Sequence, residues 1–155
     1  MKKKHLIRII SMFVMILLLP LLLALMHVGY KLIIIPSLHP ISMEMQRVFT
    51  IIIFGIPISL IIAYGYITRE KITSILSGVF LIPLLSIYCN ILFELFDPHF
   101  VISWLGGGVI LNFFAPFMLI CGLAGYFASR GTKVSLLIAI FLGIVFIFIM
   151  LGGGH

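Results

Sequence analysis

Two acids and a histidine fall within six residues in the stretch FELFDPHF, Phe93 to Phe100, inside a chain otherwise dominated by Leu, Ile, Val, Phe and Gly. Imidazole beside carboxylate is a donor set for Zn²⁺ or Mn²⁺. His39, Glu44, Asp97 and His99 together are the residues that could hold an external divalent metal. Their spacing carries no ligand motif, because no two histidines stand at i, i+4 and no HExxH occurs. Asp97 followed by Pro98 has a simpler reading. An Asp caps a helix, and Pro at the first helical position loses nothing by lacking its N–H. That predicts a short interfacial helix over 98–105, with Phe100 and Trp104 at headgroup level, and Gly106, Gly107 and Gly108 turning the chain inward. The cap outweighs the metal.

A second set of polar residues lies deeper. Asn90 is about one helical turn from Glu94, and Asn112 about one turn from Gly108. Amide side chains among lipid-soluble residues face protein and hydrogen-bond between helices. The bland role for Asn90 and Asn112 is therefore a clamp. The functional one is a polar pocket with Glu94 and Trp104 at its rim and Tyr88 and Cys89 in its wall. Cys89 and Cys121 form no CxxC pair and read as small buried hydrophobes. Neither Ser42 nor Ser103 sits in a nucleophile motif that His39 or His99 could serve. Haem ligation wants histidines within facing helices, and the sequence places them at helix ends. Enzymatic activity is not the expectation, and no cofactor is expected beyond the external metal.

The elements that must position these residues are set by composition. The chain is 63% hydrophobic and 9% charged over 155 residues, with a mean hydropathy of +1.37. A soluble domain carries roughly 25% charged residues, so this one expects a lipid solvent. A run of about 20 apolar residues crosses the hydrocarbon core as a helix. Five such runs occur, at about 6–26, 48–67, 72–93, 105–128 and 134–151, giving a single all-α, polytopic integral membrane domain. The first follows a MKKKHLIR start but is too long for a cleaved signal and lacks a small-residue cleavage site. Whether it ends near Met26 or continues through YKLIII is open at this stage. The net charge of +6 does not point to nucleic acid, since the charges sit in short clusters between apolar runs.

Orientation follows from Lys and Arg. With the N-terminus inside, the cytoplasmic side receives Lys2, Lys3, Lys4, Arg8, Arg69, Lys71, Arg130 and Lys133, and the outer side only Lys31 and Arg47. That split predicts N-terminus in and C-terminus out. It also leaves every ionisable group at or beyond a helix end, without the mid-membrane charge that marks proton relays. Pro57, Gly65, Tyr66, Arg69 and Lys71 are echoed by Pro116, Gly125, Tyr126, Arg130 and Lys133. The echo suggests a hairpin duplicated in parallel behind a first helix, a 1 + 2 + 2 plan. Pro20, Pro57, Pro83 and Pro116 stand near mid-membrane in four helices, which favours bends or a cavity. Cys121, Gly125 and Ser129 form a small-residue stripe for close helix packing, within the chain or with a partner.

The expected function is a small non-enzymatic protein of the plasma membrane, multi-pass and of prokaryotic type. Its role would be an accessory subunit or a protective, immunity-type component. Its partners would be the lipid bilayer and other membrane subunits or further copies of itself. The alternative is a transporter or small-ligand-binding component using the Asn90/Asn112 pocket. A membrane enzyme or metal protein with an external site comes last.

Overall fold

The computed structural model of the chain describes residues 2–34, 43–96 and 107–152. These form five helices: α1 (2–34), α2 (Met43–Thr68), α3 (Lys71–Phe96), α4 (Gly107–Ser129) and α5 (Lys133–Gly152). Among the described residues four helical segments are long and apolar enough to cross a membrane: Leu6–Leu32, Arg47–Thr68, Lys71–Phe96 and Lys133–Gly152. The fold is all-α and compatible with a helical membrane protein. The expected interfacial helix at 98–105 lies outside the described residues.

Helix α1 takes the longer of the two courses that the sequence leaves open. It does not stop near Met26 but runs on to Ile34, with π-helical turns at Val14–Leu18 and Tyr30–Ile34. The first π turn has a local cause. Pro20 lacks an N–H and crowds the carbonyl four residues back, and the wider turn relieves that crowding, with the Leu19 N–H reaching Val14 O. Lys31 does not end the helix because its ammonium lies over the Phe93 ring of α3, 5.9 Å from the centroid.

Packing is governed by small residues. α3 lies most closely on α4, and α2 packs on α4 and α5 more than on α3, to which a two-residue turn joins it. At the α3–α4 crossing a Cβ on Gly78 would strike the backbone of Cys121, and one on Gly125 the backbone of Ser74. The backbones therefore touch there, a contact that only glycine permits. Buried serines in this region satisfy themselves within their own helices. Ser74 Oγ donates to Glu70 O at 2.7 Å, Ser77 Oγ to Ser74 O at 3.1 Å, and Ser129 Oγ to Tyr126 O at 2.7 Å.

One end of the bundle is basic. The turn between α2 and α3 and the turn between α4 and α5 lie side by side there, because the Arg69 side chain covers Gly131. Both residues are left-handed, with φ of 55° and 68°. Thr132 caps α5 reciprocally with Ser135: each backbone N–H donates to the other's hydroxyl at 3.2 Å. Arg8 of α1 reaches the same end, its Nε 2.9 Å from Glu70 Oε2. The two turns resemble each other, whereas the helices they join pack differently.

Candidate functional site

Counted at about 1.5 Å per residue, Pro20 from Arg8, Pro57 from Thr68, Pro83 from Lys71 and Pro116 from Ser129 all lie roughly 16–20 Å from the basic end. The four prolines thus form one level. On the basic side of it lies the glycine crossing of α3 and α4. On the far side lies a cavity of about 230 Å³, lined by His27, Phe54, Ile82, Leu85, Ser86, Cys89, Phe114 and Met150. Every helix contributes: α1 through His27, α2 through Phe54, α3 through Ile82, Leu85, Ser86 and Cys89, α4 through Phe114 and α5 through Met150.

Three polar side chains, His27, Ser86 and Cys89, stand in an otherwise apolar lining, which does not include Tyr30. His27 is half-buried, and its Nδ1 is buried with no hydrogen-bond partner among the described residues. The Tyr30 hydroxyl, one turn further along α1, is likewise buried and unpartnered, its ring stacked on Phe49 at 4.0 Å. A buried polar atom left without a partner costs about 1–3 kcal/mol. Such an atom beside a cavity is a place where a ligand's polar group gains more than it would at a satisfied site. A cavity of about 150 Å³ in an apolar core accepts benzene. The larger volume here admits a molecule of ring size or somewhat more. Cys89 is a free thiol, half-buried in the same wall.

The expected site residues are only partly drawn together. Cys89 lines the cavity, while its neighbour Asn90 is half-buried on α3 outside the lining. Asn112 lies in α4, with its side chain outside the described residues. Glu94 is exposed near the end of α3. Glu44 is exposed in the first turn of α2. His39, Asp97, His99 and Trp104 lie outside the described residues. No group of three or more His, Cys, Asp or Glu side chains placed to hold a metal occurs among the described residues. Cys121, Gly125 and Ser129 are buried at the α3–α4 crossing.

His27 is the residue that sequence reasoning misplaced. It was expected beyond the end of the first helix, and it stands inside a continuous one. The signal was present in the apolar run HVGYKLIII, interrupted by a single lysine whose long side chain can lie along apolar surface. Ser86, an isolated serine in α3, gave no comparable sign. The chain matches no protein-family model, no curated protein and no solved structure.

Proposed function

We propose that the chain is a multi-pass membrane protein that binds a small, mostly apolar ligand in the five-helix cavity. The ligand would carry one polar group directed at His27. The observation that carries this reading is the cavity itself, where all five helices converge on His27, Ser86 and Cys89. Five spans, N-terminus in and C-terminus out, complete the proposal, since Arg8, Arg69, Lys71, Arg130 and Lys133 share one end. The location proposed is a prokaryotic plasma membrane, and the cavity's place beyond the proline level suits a binding or transport component.

The accessory-subunit reading ranks second. It drew on the Cys121, Gly125 and Ser129 stripe as a surface for a partner, and that stripe is occupied within the chain by α3. The exposed large apolar residues, such as Phe141, Phe148 and Leu119, suit lipid as solvent and specify no partner.

The test uses a small thiol reagent as probe. In the folded, detergent-solubilised chain, a methanethiosulfonate should modify Cys89 and spare Cys121, which is 0% exposed. His27→Trp should occlude the space and protect Cys89. Small molecules extracted from protein purified out of its native membrane should be present with the wild type and missing from His27→Leu. Equal reactivity of both thiols, or Cys89 labelling indifferent to His27→Trp, would sink the cavity reading.

A further inference from the structure

A second concavity, of about 360 Å³, runs along the outside of the bundle between α2 and α5. On α2 its wall runs from Ile58 to Ile67, and on α5 from Leu136 to Ile147. At about 1.5 Å per residue these walls are roughly 14–16 Å long. That is about half the roughly 30 Å hydrocarbon core of a bilayer. The groove therefore matches one leaflet, and a transmembrane helix of a partner would need twice that length. Its walls are apolar apart from Ser59 and the tyrosine Tyr66, which stands toward the basic end.

The basic end supplies what a lone acyl chain would not require. Lys133 stands one turn before Leu136 on α5 and continues the stripe of Leu136, Ile140, Gly143 and Ile147 at helical spacing. Arg69 follows Thr68, the last residue of α2, and its side chain crosses to Gly131, beside the start of α5. Along the chain, two cations thus stand within about one turn of the Tyr66–Leu136 end of the groove. The acid nearest in sequence, Glu70, is engaged by Arg8, so it does not neutralise them.

We propose that this groove holds one glycerophospholipid with an anionic headgroup, its phosphate between Arg69 and Lys133 and one acyl chain between α2 and α5. The inference rests on the membrane-spanning reading and is independent of the His27 cavity. Tyr66 borders the glycerol level, and Gly143, which has no side chain, lets Ile58 and Ile62 of α2 close onto α5 as the floor of the groove.

The full chain would be reconstituted in nanodiscs holding equal phosphatidylglycerol and phosphatidylcholine with identical chains, then released into mild detergent for native mass spectrometry. One retained lipid is expected, predominantly phosphatidylglycerol. Each of Arg69→Gln and Lys133→Gln should cut that preference roughly fivefold. Ala63→Phe, at an exposed position in the groove wall, should expel both lipids without lowering the melting temperature. His27→Leu should retain lipid as the wild type does. Equal retention of the two lipids, a preference that survives both charge changes, or a second protein chain carried in place of lipid would overturn the proposal. Lipid lost from His27→Leu would also overturn it, by moving the lipid to the cavity. A chain that stays in solution without detergent would instead remove the membrane reading beneath it.

Discussion

Among the glycines, position and neighbour decide the cost of a side chain. At Gly29 a Cβ would meet nothing within 4 Å, at Gly122 it would meet Val79 Cγ2 at 2.8 Å, and at Gly125 it would strike the Ser74 backbone. A side-chain methyl can turn aside, whereas a backbone carbonyl in a packed helix cannot. Gly29→Ala should be neutral or raise stability by up to about 1 kcal/mol through helix propensity. Gly125→Ala should lower it by about 1–3 kcal/mol through overpacking, with Gly122→Ala between them. Melting curves in mild detergent would read the order, and a reversed order would contradict the crossing. Gly131→Ala belongs to a different class. Its φ of 68° costs an L-residue about 1–2 kcal/mol, and its methyl would push into the Arg69 side chain. The Cys121–Gly125–Ser129 stripe was readable because its members recur every fourth residue, the spacing of one helix face. Gly78, its counterpart on α3, was not, since a single glycine in an apolar helix looks the same whether packed or idle.

α5 spans Lys133–Gly152 against the expected 134–151, whereas α2 begins at Met43, five residues before the expected 48, because the polar turn at 43–47 continues the helix beyond its apolar run. The end of α1 was open in the sequence, because one lysine among Tyr, Leu and Ile fits either a boundary or a continuing helix. The close α4–α5 pair follows from the short turn that joins them, but the packing of α3 on α4 was not legible, because apolar faces are interchangeable until small residues select which backbones can touch. What the elements share is the proline level. Pro83 removes one backbone hydrogen bond from α3 between the close crossing at Gly78 and the cavity residue Cys89. If the bend there opens the cavity, Pro83→Leu should straighten α3 and slow modification of Cys89 by a small thiol reagent. An unchanged rate would assign the opening to the other prolines. Cys89, named as a wall residue from the sequence, lines the cavity, whereas Asn90 lies outside the lining and the polar groups there are His27 and Ser86.

For the molecule as a whole, the proposed orientation rests on cations from three separate parts of the chain meeting at one end. A single cysteine placed at Thr132, in a background lacking Cys89 and Cys121, should react with a membrane-impermeant maleimide only after the membrane is opened. Labelling from outside in intact cells would reverse the topology. The length of α1 has a further consequence once the bundle sits in lipid. Its apolar run of 27 residues is about 40 Å long, while the 20 residues of α5 give about 30 Å, close to the hydrocarbon thickness. On the proposed spanning reading, one molecule would present two hydrophobic thicknesses to the same bilayer. The mismatch is relieved when α1 leans across α3, the helix it packs on most, or when the lipid around it stretches. A thicker bilayer lets α1 stand more upright. Because α1 carries His27, on that reading membrane thickness would become a variable that acts on the cavity.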